Sequence, residues 1–242
     1  MSRTSDRLRI ALLDASHGDE HTPRNFRREL DADLVEFDVT ANERPAGFDF
    51  DAVVVTGSRS SVYWDRDWIR PLVAYVAEAD ERGLPLLGVC YGHQVVATAL
   101  GGRVEDMGAY EIGYREITKV ADGELLAGIP ETFTAFTTHS DAVTELPPGA
   151  TLLAENDYGV HAFRRGTAWG VQFHPEYDRE TARSITHEKD LSPERREAVL
   201  DGINDENYDA ACRTKRLFEN FTDAVGRIRR ERTSADHEAS PA

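Results

Sequence analysis

LPLLGVCYGHQVVATALGG, residues 84–102, is the stretch that decides the fold. Residues 84–90 form an apolar run of strand length, and residues 91–100 read as a helix stopped by Gly101 and Gly102. Between them lies glycine, any residue, nucleophile, any residue, glycine: Gly88, Cys90 and Gly92. A sharp strand-to-helix turn holds its central residue in a strained conformation and needs small neighbours. It lifts the side chain above the carboxyl end of the sheet, where α/β proteins place their ligands. The helix also points its N-terminal dipole at the sulfur, which favours the thiolate.

The same rhythm continues outward. Residues 8–14 (LRIALLD), 33–39 (DLVEFDV) and 50–58, centred on Val53, Val54 and Val55, read as buried strands. Residues 65–82 carry Trp68, Ile69, Leu72, Val73 and Val76 at helical spacing. The alternation predicts an α/β protein with a doubly wound, flavodoxin-like mixed sheet flanked by helices. Beyond residue 102 come short β-branched or aromatic stretches at 113–120, 132–138, 151–155, 160–164 and 168–173, then helical stretches at 178–189, 193–201 and 205–227. With no repeat or linker, one domain over residues 1–230 is expected. It carries a helical extension at about 178–213, followed by a disordered tail at 231–242.

A cysteine nucleophile needs a base. Phe173-His174-Pro175-Glu176 follows a predicted strand, and Pro175 biases His174 towards extended backbone. Residues two apart in an extended chain face the same way, so His174 and Glu176 are expected in one cleft, the carboxylate orienting the imidazole.

GVCYGHQVVATALGG together with GVQFHPE closely resembles the class I (triad-type) glutamine amidotransferases, most of all the glutaminase subunit of GMP synthase and its stand-alone relatives. The resemblance implies a Cys90–His174–Glu176 triad that hydrolyses the glutamine side-chain amide through a thioester. It implies an oxyanion hole from Tyr91 and the Thr56-Gly57-Ser58 turn, which replaces the family's usual Gly-Gly-Pro. Gln94, and a loop containing Thr138, His139, Ser140 and Asp141, would hold L-glutamine or a γ-glutamyl compound. No metal and no cofactor are implied. No glycine is followed by lysine, so there is no P-loop, and no ATP pyrophosphatase signature is present. Ammonia is therefore expected to pass to a separate ATP-dependent synthetase. A stand-alone γ-glutamyl amide or peptide hydrolase and a non-catalytic regulatory homologue stay open as alternatives.

Composition sets the surroundings. The chain has 242 residues, 44 acidic and 28 basic side chains, and a formal charge of −16. That argues against a basic nucleic-acid face and against adhesion to anionic lipid. Only Lys119, Lys189 and Lys215 are lysines, and every other cation is arginine. Many carboxylates with almost no lysine predict a halophilic surface, since at about 1 M salt the Debye length is roughly 3 Å and self-repulsion is screened. Cys90 and Cys212 are too few for a disulfide framework, and no apolar run reaches a membrane span or a signal core. A cytoplasmic setting is expected. His17-Gly18-Asp19-Glu20-His21 is read as a loop that shapes acceptor specificity rather than as a metal site. Tyr63, Trp64 and Trp68 are read as packing residues, and Tyr110-Glu111-Ile112-Gly113 resembles a family segment near the partner interface.

Overall fold

The computed structural model describes the backbone of residues 7–238 and the side chains of residues 7–234. Nine strands form one sheet in the order β2-β1-β3-β4-β9-β8-β7-β5-β6. The first five in that order are parallel: β2 (Asp33–Asp38), β1 (Arg9–Asp14), β3 (Ala52–Val55), β4 (Leu86–Val89) and β9 (Ala168–Val171). The rest are antiparallel: β8 (Gly159–Arg165), β7 (Thr151–Asn156), β5 (Arg103–Lys119) and β6 (Thr132–Glu145). The sheet is mixed and helix-flanked, as expected.

Period-two alternation divides the core. Ile10, Leu12, Val54, Leu87 and Val89 face one side, where Phe26 of α1 (His21–Glu29) and Phe218 and Phe221 of α7 (Arg216–Glu238) cover them. Ala11, Leu13, Val53, Val55 and Leu86 face the other, under Leu72 and Val76 of α2 (Ile69–Glu81) and Val95 and Val96 of α3 (Tyr91–Ala99). Burial on both faces is why β3, β4 and β9 contain only buried residues.

The structure corrects several boundaries. Residues 17–21 are not simply a loop, because His21 opens α1. β5 begins ten residues before position 113, and β6 runs on to Glu145, so residues 138–141 lie within a strand rather than a loop. The single helix expected over 205–227 is α6 (Asp205–Ala211), a 3-10 turn (Cys212–Lys215) and α7. α7 continues to Glu238, so residues 231–238 of the expected tail are helical, while 239–242 lie outside the described residues. Trp68 is buried, but Tyr63 and Trp64 are 49% and 44% exposed, so packing accounts only for the first. No described helix is long and apolar enough to cross a membrane.

The extension is part of the fold. α4 (Arg179–Glu188) and α5 (Pro193–Gly202) set Ala182 and Val199, with Ile203, against Ile112 and Phe136 of the β5–β6 hairpin. Each helix has a side-chain cap: Asp178 accepts from the Thr181 amide, and Ser192 accepts from the Arg195 amide ahead of Pro193 at the first helical position.

Candidate active site

The turn from β4 into α3 carries Cys90, the expected nucleophile. Cys90 has φ 55° and ψ −104°, a left-handed conformation that a side chain rarely adopts. Its glycines are obligatory. A Cβ on Gly88 would stand 2.1 Å from the Gly92 carbonyl oxygen, and one on Gly92 would stand 2.1 Å from the Val55 carbonyl oxygen. The Cys90 amide donates to Val171 O at 2.8 Å, tying the elbow to β9.

β9 leads into His174, the expected base. The His174 amide donates to Phe136 O at 2.9 Å, and His174 Nδ1 donates to Glu176 Oε1 at 2.8 Å. That orients the ring, leaving Nε2 on the Cys90 side. All three side chains are buried. Gly57 sits against both side chains: a Cβ there would lie 3.1 Å from His174 Cε1 and 3.7 Å from Cys90 Cβ. Burial works against a charged imidazole, but the Cys90 sulfur and the Glu176 carboxylate outweigh it and push His174 up to about 10. Tyr177 stacks on the His174 ring at 4.0 Å and 23°.

Glu176 is itself held. Arg28 Nη2 donates to Glu176 O at 2.5 Å, while Arg28 and Arg24 both reach Asp178 Oδ2, at 2.9 and 2.8 Å. Burial alone would raise the Asp178 carboxyl, but the Thr181 bonds and the two guanidiniums hold it below the usual range. Asp178→Ala is expected to cost about 1–2 kcal/mol, a lost helix cap plus part of this cluster. A folded pKa below the unfolded one gives stability that is present above about pH 4 and fades as pH falls through the folded value. The gap between wild type and variant in urea unfolding should therefore close in acid, and an undiminished gap at pH 2 would count against this account.

The cleft has two lobes that meet at Cys90. One, of about 180 Å³, is lined by His174, Tyr177, Asp19, Thr22, Ile185 and Lys189. The other, of about 90 Å³, is lined by Gln94, His139, Ser140, Asp141, Tyr91 and Trp64. Gly57 borders the first lobe, Tyr91 the second, and Ser58 both. As the first residue of α3, Tyr91 has an amide with no intrahelical acceptor. The Gly92 amide donates to Thr56 O at 3.1 Å, which stitches the 56–58 turn to the elbow.

The residues expected to hold substrate are brought together but are already engaged. Gln94 Nε2 donates to Asp141 O and Gln172 Oε1, both at 3.1 Å. Tyr63 donates its hydroxyl to Asp141 Oδ1 at 2.9 Å. His139 uses both ring nitrogens, Nδ1 on Asp141 O at 2.9 Å and Nε2 on Glu111 Oε2 at 2.6 Å. His139 is therefore a brace for β6, not a free substrate ligand. Buried Glu111 also accepts from Asn156 Nδ2 at 2.7 Å and stands 3.2 Å from His161 Nε2. Burial would raise its carboxyl, but the two imidazoles bring it down to about 2.

Glu111, His139 and His161 are the grouping among the described residues whose ligand atoms come close enough to suit an ion. Two tetrahedral zinc ligands, each about 2.0–2.2 Å from the metal, stand roughly 3.3 Å apart. The 2.6 Å His139–Glu111 contact is a direct hydrogen bond instead. In the 17–21 segment, Asp19 Oδ1 and Oδ2 accept from the His21 amide and the Thr22 hydroxyl, while His17 pairs with Ser60. Sequence reasoning missed Arg28, Tyr177, Arg59 and Lys189, none of which belongs to a local motif.

The model of the class-I glutamine amidotransferase family matches residues 21–190. Gamma-glutamyl peptidase 5 of Arabidopsis thaliana is 36% identical over 139 residues, 54% of this chain and 55% of that protein. A glutamine-hydrolyzing GMP synthase of Thermus thermophilus is 41% identical over 128 residues, 52% of this chain and 24% of that protein. The chain thus spans about half the length of the first and about a quarter of the second. Among solved structures, a glutamine amidotransferase from Thermotoga maritima superposes with a TM-score of 0.76 at 21% identity, covering 90% of this chain and 99% of that one.

Proposed function

Since the chain belongs to the class I glutamine amidotransferase family, we propose that it hydrolyses the side-chain amide of a γ-glutamyl compound, with glutamine the simplest, through Cys90, His174 and Glu176. The observation that carries this reading is His174 held by Glu176 beside a cysteine in a strained elbow. The Cys90 sulfur attacks the γ-carbonyl carbon. The oxyanion is met by amides of Tyr91 and of the Gly57-Ser58 turn. His174 gives its Nε2 proton to the departing nitrogen as the C–N bond breaks, leaving a thioester. Water, deprotonated by His174, then splits the thioester into glutamate and free Cys90. Gln94, Ser140 and Asp141 border the lobe for the glutamyl group, whose arrival displaces the Tyr63 hydroxyl from Asp141.

Ammonia released from glutamine passes to a separate ATP-dependent synthetase of the GMP-synthase kind, in a cytoplasm rich in salt. A second reading, hydrolysis of γ-glutamyl amides or peptides without a synthetase, is favoured by the lobe on the His174 side. Ammonia needs about the room of one water, on the order of 10–15 Å³, against about 180 Å³ there. Assays in molar KCl separate the two. Glutaminase activity raised by an added synthetase and its nucleotide supports the first, and unaided turnover of γ-glutamyl peptides supports the second. No Cys90-dependent turnover of either substrate overturns both.

His174 predicts the alkaline limb of that activity. With the ring pushed up to about 10, kcat/KM should fall as pH rises through that value and the leaving nitrogen loses its acid. Glu176→Gln removes one of the two charges that raise His174. It should lower kcat/KM by about a hundredfold and move the limb to lower pH. A limb that stays in place would show that Glu176 does not set the imidazole's charge.

A further inference from the structure

Arg59 and Lys189 take no part in the steps above, yet both border both lobes of the cleft, beside Cys90. They come from segments far apart in the chain. Arg59 follows the Gly57-Ser58 turn, and Lys189 caps the end of α4 in the extension. Among the described residues, neither guanidinium nor ammonium has a recorded carboxylate partner, and Lys189 Nζ lies 5.8 Å from the centre of the Tyr110 ring. This is a chain in which acids outnumber bases 44 to 28. Other cations around the site are neutralised: Arg24 and Arg28 share Asp178, and Lys215 takes Glu29. Two cations without carboxylate partners in the cleft that holds Cys90 make a place for an anion.

The position of the general acid says which anion. His174 must reach the departing nitrogen, and it borders the 180 Å³ lobe but not the 90 Å³ one. The leaving group therefore enters the larger lobe, between Thr22, Ile185 and Lys189. We propose that Arg59 and Lys189 bind a carboxylate carried by the leaving amine, so that the favoured substrates are γ-glutamyl amino acids and peptides. This rests on the second reading of function, unaided γ-glutamyl hydrolysis. Glutamine carries no such carboxylate and leaves the lobe empty.

γ-Glutamylalanine and γ-glutamyl ethylamide test this, because their leaving amines differ only by a carboxylate. The wild type is expected to prefer the alanine compound in kcat/KM by about tenfold or more. Arg59→Gln and Lys189→Gln should each shrink that ratio severalfold, whereas Arg59→Lys, which keeps the charge, should retain most of it. Both side chains reach the surface, so these variants are expected to fold, as thermal melts would verify. Equal use of the two compounds by wild type overturns the inference while leaving γ-glutamyl hydrolysis standing. So does a ratio that survives in both Gln variants while both rates fall together, because the cations would then read the α-carboxylate. Absence of Cys90-dependent turnover of either compound sinks the functional reading beneath it.

Discussion

Cys90→Ala is expected to lower γ-glutamyl amide hydrolysis by roughly 10⁴-fold or more while the fold persists. In the proposed mechanism the sulfur forms and breaks every covalent bond to substrate, and neither His174 nor the amides of the 57–58 turn can replace it. The same position allows a second measurement. Cys90 sits at φ 55° and ψ −104°, a conformation that costs a non-glycine residue on the order of 1–3 kcal/mol. Alanine keeps that cost, and glycine removes it at an entropic penalty of about 0.5–1 kcal/mol. Cys90→Gly should therefore melt above Cys90→Ala by a few degrees, a difference of about 1 kcal/mol, and both should be inactive. Equal melting temperatures would mean that the elbow stores no strain at this residue. Turnover by Cys90→Ala within tenfold of wild type would remove the cysteine from the mechanism altogether.

How much of this was legible in the sequence depends on whether the deciding interaction is local. The elbow was legible because Gly88 and Gly92 are constrained by backbone atoms next to one short segment, and His174 and Glu176 sit two residues apart on an extended chain. The parallel strands were legible because burial on both faces leaves unbroken apolar runs. α1 was not, because its buried face is Thr22, Asn25 and Phe26, and Asn25 is satisfied by Thr181, 156 residues away. The β5–β6 hairpin was under-read for a related reason. Its pairing shifts register between Asp106 and Glu111, and its interior holds Glu111, Thr137, Thr138, His139 and Asp141, buried polar groups that satisfy one another or are satisfied from other segments. In sequence, such a stretch has the composition of a loop. Arg59 and Lys189 carry no local signal at all. They become a pair only when α4 folds back across the carboxyl end of the sheet.

Gly92→Ala is expected to be among the most destabilising single-methyl changes in the described residues. Its Cβ would stand 2.1 Å from Val55 O, 2.8 Å from the Val55 carbonyl carbon and 3.0 Å from Val55 Cβ. Two of those atoms are backbone, in a central strand paired on both sides and buried on both faces, so no side-chain rotation relieves the clash. Either α3 lifts off β3, or the strand bends. Overpacking of this kind costs about 3 kcal/mol, which at about 2–4 °C per kcal/mol for a chain of this size lowers the melting temperature by roughly 10 °C. Lifting α3 also carries the Tyr91 amide and the Cys90 sulfur away from His174 and the 57–58 turn. Activity should therefore fall at least a hundredfold even at temperatures where the variant is folded. Gly202→Ala is the control: nothing stands within 4 Å of its Cβ, and it should stay within about 0.5 kcal/mol of wild type. Gly88→Ala drives its methyl into Gly92 O at 2.1 Å, a neighbouring contact that also pushes α3 off the sheet. The double variant should therefore cost clearly less than the two single variants added together. Strict additivity would mean that β3, β4 and α3 yield independently, and that the elbow is not the single rigid unit its geometry requires.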